Sequence, residues 1–159
     1  MKILISYYSR TGTTKKAAEH IEDSLAERGI EVKTEEVIDK KNRDGRTGYI
    51  VAGKDAMMRK KTEIGDISYD PKNFDMLIVG TPVWAGKVTP AIRTYLEKYK
   101  DKIDQIAFFC THGGGGESKT FTDMKEIIGV PKEVLSLKDK MVEDREHLDD
   151  ITNFIESIL

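Results

Sequence analysis

Residues 2–25 read KILISYYSRTGTTKKAAEHIEDSL, and this stretch decides the fold class. Lys2 to Tyr8 is a short apolar run that stops at Ser9. A turn rich in glycine and threonine follows, and then Ala17, Ala18, Ile21 and Leu25 recur at helical spacing until Gly29 stops the helix. The reading is strand, loop, helix.

The same unit repeats along the chain. Ile30 to Ile38 alternates in part, with charges facing outward, as expected of a strand near a sheet edge. Phe74 to Val79 (FDMLIV) and Ile106 to Cys110 (IAFFC) are apolar throughout, so both are expected to be buried on two faces. Each leads through a loop into a helix. Thr89 stands at an N-cap position with Pro90 at the first helical position, and Ile92, Leu96 and Tyr99 mark one face. A further helix starts near Ser118 and is expected to bury Phe121, Met124 and Ile128. Val134 to Leu137 supplies a fifth strand. Glu143 to Leu159 reads as one closing amphipathic helix, with Leu148, Ile151, Ile155 and Ile158 on its apolar side and Glu143 and Asp144 at its positive end.

Strands that alternate with helices pair in parallel through right-handed crossovers, which gives an α/β three-layer sandwich. The chain of 159 residues and 18.0 kDa is expected to form one compact domain over residues 1–159. One crossover is unusually long. Residues 39–73 contain the polar turn Lys40 to Gly45 and a short helix expected around Lys54 to Lys61. Tyr49, Ile50, Val51, Met57 and Met58 either pack this segment onto the sheet or border a ligand or partner.

Twenty-six basic and twenty-eight acidic residues give a net charge of −2, which supplies no broad positive field for nucleic acid. The N-terminal run is interrupted by polar residues and reads as neither a secretory signal nor a membrane span, so a cytoplasmic protein is expected. The single cysteine, Cys110, excludes an internal disulfide framework and a cysteine-held iron–sulfur cluster, and inert packing is its expected role. The three histidines, His20, His112 and His147, show no metal-ligand spacing.

In an open parallel sheet the loops after the first, third and fourth strands leave one edge and converge. Ser9-Arg10-Thr11-Gly12-Thr13-Thr14 offers four hydroxyls and successive backbone N–H groups ahead of a helix, the donor set a phosphate dianion needs. It matches neither the nucleoside-triphosphate nor the dinucleotide glycine pattern, which favours a monophosphate; the alternative is an ordinary turn over Ser9–Thr13 with Thr14 as an N-cap. Thr81-Pro82-Val83-Trp84-Ala85-Gly86-Lys87 places the only tryptophan in a loop, either to cover an aromatic ligand or to close over the neighbouring helix. Thr111-His112-Gly113-Gly114-Gly115-Gly116-Glu117 either presents bare backbone for the polar edge of a heterocycle or is merely a mobile loop.

Together these motifs resemble the flavodoxin-like family of FMN proteins over essentially the whole chain. The phosphate loop stands as Ser9-Arg10-Thr11-Gly12-Thr13-Thr14, and the motif after the third strand as IVGTPVWAG. The resemblance implies a five-stranded parallel sheet in the order 2-1-3-4-5 and FMN as cofactor. It implies that Ser9, Arg10, Thr11, Gly12, Thr13 and Thr14 enclose the phosphate. Thr81, Pro82, Val83, Trp84, Ala85 and Gly86 would follow the isoalloxazine, with Thr111, His112, Gly113 and Gly114 on its other side or polar edge. Many members carry a tyrosine in the third loop; this chain has none there.

Three functions are consistent with that resemblance. The first is electron transfer between redox partners, with a redox protein or a small redox substrate as partner and a monomer or homodimer as the assembly. The second is an NAD(P)H- or quinone-dependent FMN oxidoreductase, in which His112 would contact a quinone oxygen or donate a proton. The third is a cofactor-free regulatory domain on the same fold.

Overall fold

A computed structural model describes residues 1–159. Five parallel strands, β1 (Lys2–Tyr7), β2 (Glu31–Glu36), β3 (Met76–Pro82), β4 (Ile106–His112) and β5 (Val134–Lys138), form one sheet in the order β2-β1-β3-β4-β5. The helices are α1 (Thr13–Glu27), α2 (Gly45–Met57), α3 (Pro90–Tyr99), α4 (Glu117–Ile128), α5 (Asp139–Glu143) and α6 (Leu148–Ile158). The expected strand order and three-layer sandwich are both observed. β2 lies at the edge, as its charges require.

The period of two along each strand divides the core in two. Ile3, Ile5, Met76, Ile78, Ala107 and Phe109 face α1 and α6, where Ile21, Leu25, Ile151, Phe154 and Ile155 cover them. Leu4, Leu77, Val79, Ile106 and Phe108 face α3 and α4, against Ile92, Tyr95, Leu96, Phe121 and Met124. Full burial of each such side chain contributes about 1.5–3 kcal/mol. One position in the sheet must lack a side chain: a Cβ on Gly80 would stand 2.0 Å from the Phe109 ring, which lies across it.

β3 and β4 both end later than their apolar runs suggest, and β3 also starts later, whereas β4 starts at Ile106 as expected. β3 begins at Met76 and reaches Pro82, and β4 continues to His112, so Thr81, Thr111 and His112 are strand ends. Ile128 is only partly buried at the end of α4.

Two helix expectations are corrected. The closing helix is broken in two, with α5 ending at Glu143 and α6 beginning at Leu148. Between them Arg145 adopts φ 58° and the buried His147 turns in towards His20 of α1. Glu143 therefore ends a helix instead of opening one, Asp149 and Asp150 occupy the positive end of α6, and Leu148 is exposed.

The crossover helix is displaced as well. It spans Gly45–Met57, upstream of the expected 54–61, and three glycines disguise it. Gly48 packs directly on the Arg43 backbone, and Asp39, Arg43 and Asp55 form a buried ion-pair cluster beneath it. Tyr49, Ile50, Met57 and Met58 do not pack onto the sheet; they remain exposed.

Candidate functional site

The chain leaves β1 towards β2 on one side and, after β3, continues away on the other, so a crevice opens between the loops after β1 and β3. A cavity of about 300 Å³ lies there. The first loop contributes Ser9, Arg10, Thr11, Thr13 and Thr14, the second Pro82, Val83 and Trp84, and the third Thr111, His112 and Gly113. The expected convergence is present. Gly12, Thr81, Ala85, Gly86 and Gly114 do not line this cavity.

Gly12, at φ 100°, caps α1 without any side-chain cap, and its N–H donates to Ser9 Oγ (3.1 Å). The N–H groups of Thr13, Thr14 and Lys15 find no acceptor within the chain, so the positive end of α1 is open towards the cavity. That donor set, with the neighbouring hydroxyls, fits an oxyanion such as a phosphate. Arg10 is committed elsewhere: its guanidinium donates to Arg43 O (2.9 Å) and Gly45 O (3.2 Å) and lies 5.7 Å from the centre of the Tyr49 ring. Lys15 and Lys16 are solvent-exposed.

The second loop is a tight turn. Ala85 and Gly86 take φ 51° and 69°, and Trp84 and Lys87 exchange backbone hydrogen bonds across them. Thr81 is fully buried and braces the base of this loop through Thr89 Oγ1 (3.2 Å). At its far end Asp123 of α4 accepts from Val88 N–H (3.0 Å) and pairs with Arg93. Trp84 is half-buried, edge-on to Tyr8 (5.4 Å) and 5.6 Å from the Arg43 guanidinium, so it is positioned from below before any ligand is considered. Burial, with Asp39 next, pushes the Tyr8 phenol up to about 12, which keeps it neutral.

The third loop is tied to both others. Val83 N–H donates to Thr111 O (2.9 Å), and the Thr111 and Thr14 hydroxyls share a hydrogen bond. Gly116 opens α4 at φ 88°, where an added Cβ would come within 2.9 Å of Val83. Both nitrogens of the buried His112 are engaged. Nδ1 accepts from Gly115 N–H (3.0 Å), so in the neutral ring Nε2 carries the proton and donates to Ser136 Oγ (2.9 Å). Cys110, one turn of the pleat below, is buried, and burial pushes its thiol up to about 12; it packs rather than reacts.

One lining residue escaped the sequence reading; a second, Tyr49, stands there with two alternatives, packing onto the sheet or bordering a ligand. Asp139 follows β5 at the same sheet edge, a signal that strand ends alone provide, and burial raises its carboxyl above the ordinary value. Tyr49 comes from α2.

With this geometry in place, the comparisons with known proteins are decisive: the family model for flavodoxin matches residues 2–158. The chain belongs to the flavodoxin family. Among solved structures, a flavoprotein from Lactobacillus acidophilus NCFM in complex with FMN is 28% identical. It has a TM-score of 0.69, with 91% of this chain and 97% of that one covered. Flavodoxin 2 from Bacillus cereus is 21% identical (TM-score 0.65, 99% and 97% covered). A flavodoxin from the domain Archaea is 18% identical (TM-score 0.61, 99% of both chains covered). These two share the fold with this flavodoxin-family chain. No curated protein sequence matches it, and no helix of this flavodoxin-family chain is long and apolar enough to cross a membrane.

Proposed function

We propose that this chain binds FMN without a covalent link and carries electrons between redox partners. The observation that carries the reading is one cavity walled by all three loops, with the unpaired N–H groups of the first turn of α1 opening into it. The relative from Lactobacillus acidophilus, described in complex with FMN, supports the choice of ligand.

In this reading Ser9, Thr11, Thr13 and Thr14, with the backbone from Arg10 to Thr14 pivoting at Gly12, hold the phosphate. Hydrogen bonds to a charged acceptor contribute about 1.5–3 kcal/mol each. Thr81, Pro82, Val83, Trp84, Ala85 and Gly86 form or brace the wall along the ring, and Thr111, His112 and Gly113 line the opposite wall, which Gly114 continues beyond the cavity at the polar edge. Bound FMN supplies the electron-accepting and electron-donating chemistry. The residues around it anchor, orient and exclude water. His112 acts by holding the glycine run through Gly115, and its engaged nitrogens argue against the oxidoreductase alternative in which it donates a proton.

The test is titration of the apoprotein with FMN and with riboflavin, followed by a visible spectrum and anaerobic reduction. Saturable FMN uptake, with riboflavin held at least about a hundredfold more weakly, is expected from loss of two charge-assisted contacts. A protein that takes up no FMN overturns the proposal. Steady turnover of NAD(P)H or a quinone would replace electron transfer with the oxidoreductase reading.

A further inference from the structure

A second, larger cavity of about 470 Å³ lies beside the first, between α2 and the Trp84 loop. Tyr49, Val83 and Trp84 line both, so the two adjoin along these side chains. Their chemistry differs. The first is walled mostly by hydroxyl and backbone groups, the second by Tyr49, Ile50, Met57, Val83 and Trp84, with Lys54 as its one charged side chain. A ligand that is polar at one end and flat and apolar at the other matches that sequence of surfaces.

Helix α2 is built to present this face. At 100° per residue Tyr49, Ile50, Gly53 and Met57 fall on one side, and Tyr49, Ile50 and Met57 are 67%, 68% and 63% exposed. The opposite side, with Ala52, Asp55 and Ala56, is buried. The helix is held near its end by charge: Asp55, in its last turn, pairs with Arg43 (3.0 Å) and Lys41 (2.7 Å) of the segment before the helix, and Arg43 also pairs with Asp39 (2.6 Å). The same Arg43 lies over Trp84, and Arg10 of the first loop lies over Tyr49 and donates to Arg43 O, so two linked arginines lie against both aromatic rings. The glycine run after β4 has no aromatic side chain to offer, and His112 is turned into the protein.

We infer that Tyr49 of α2 provides the second aromatic wall of the flavin site, with the dimethylbenzene end of the ring seated in the apolar groove between α2 and Trp84. This rests on the FMN reading above. The long crossover then has a function: its helix α2 supplies the wall that faces the Trp84 loop across the groove.

The experiment is FMN and riboflavin titration of the full-length apoprotein and its variants, read by visible absorption and by iodide quenching of the bound flavin's fluorescence. Tyr49→Ala is expected to weaken FMN and riboflavin by the same factor, about tenfold, because the loss is a ring contact and not a phosphate contact. Iodide access to the flavin rises, and Tyr49→Phe restores both readouts. Met57→Glu, at the far end of the groove, is expected to weaken FMN about tenfold and to displace the flavin absorption bands. Both positions are exposed, and far-UV circular dichroism verifies that each variant is folded. If the parent protein takes up no FMN, the reading of the whole site falls. If the parent binds FMN and both Tyr49→Ala and Met57→Glu bind it less than about threefold more weakly with unchanged iodide access, FMN binding stands and the role of α2 is overturned.

Discussion

The hydroxyls of Thr14 and Thr111, ninety-seven residues apart in sequence, lie 2.7 Å from each other in the buried floor between the first and third loops. Each comes from a different element, the first turn of α1 and the end of β4, so this one bond sets the spacing of the two walls. Thr111→Val keeps the shape and leaves the Thr14 hydroxyl without its partner. A loss of about 1–2 kcal/mol in stability is expected from chemical denaturation, together with FMN binding weakened about fivefold or more by the misplaced phosphate loop. Unchanged affinity would show that the wall spacing is set elsewhere.

Asp123 joins α4 to the end of the Trp84 loop and to Arg93 of α3, and its side chain is fully buried. Removing it strands the Arg93 guanidinium, whose side chain is 8% exposed. Asp123→Ala is expected to cost about 3–5 kcal/mol in urea unfolding, whereas Asp123→Asn, which still accepts from Val88, costs less. Equal losses in the two variants would assign the effect to packing alone.

Gly80 faces the Phe109 ring with no room for a methyl group. Gly80→Ala is expected to destabilise by about 1–3 kcal/mol through overpacking. Pairing it with Phe109→Leu relieves the clash, so a double-mutant cycle gives a coupling energy of opposite sign to the single losses. Strict additivity would contradict the close contact.

The three-dimensional pairing of His20 and His147 fixes a proton arrangement. Met141 O accepts from His147 Nδ1 (3.0 Å), so His147 Nε2 is bare and accepts from His20 Nδ1 (2.7 Å). His20 Nε2 is then bare and faces Arg145 Nη1 at 3.5 Å. Burial, followed by His147 and Arg145, lowers the His20 pKa, against the smaller pull of Asp23 and Glu19. A folded-state value below the unfolded one means that the contribution is complete above about pH 6.5 and is lost as pH falls through the lowered value. Thermal unfolding between pH 7.5 and 5 is therefore expected to show a steeper fall in Tm for the parent than for His20→Gln. Parallel curves would remove the histidine pair from the acid response.

The five strands and all three loops are legible in the sequence because their signals are local: apolar runs, hydroxyls around Gly12, and glycines after β4; the strand order follows only from the resemblance to the flavodoxin-like family. What escaped depends on partners far along the chain. α2 carries Gly45, Gly48 and Gly53, a poor helical sequence, and is stabilised by Asp39 and Arg43 outside it. The break before α6 depends on His147 reaching His20, 127 residues away. Asp139 belongs to the site only because β5 ends at the same edge as β1, β3 and β4. His112 lines the cavity, and its bracing of the glycine run depends also on Ser136, 24 residues further on, which no local signal places beside it.

The bond from Gly115 to His112 alters how a glycine-rich segment is to be understood kinetically. A run of four glycines suggests a slack strap that must condense around an incoming molecule, yet this one is moored at Gly115 and at the helix start, Gly116. Uptake of the ligand proposed above is then expected to resemble docking into a pre-formed berth, with a rate set by diffusion and orientation instead of by the folding of a loop.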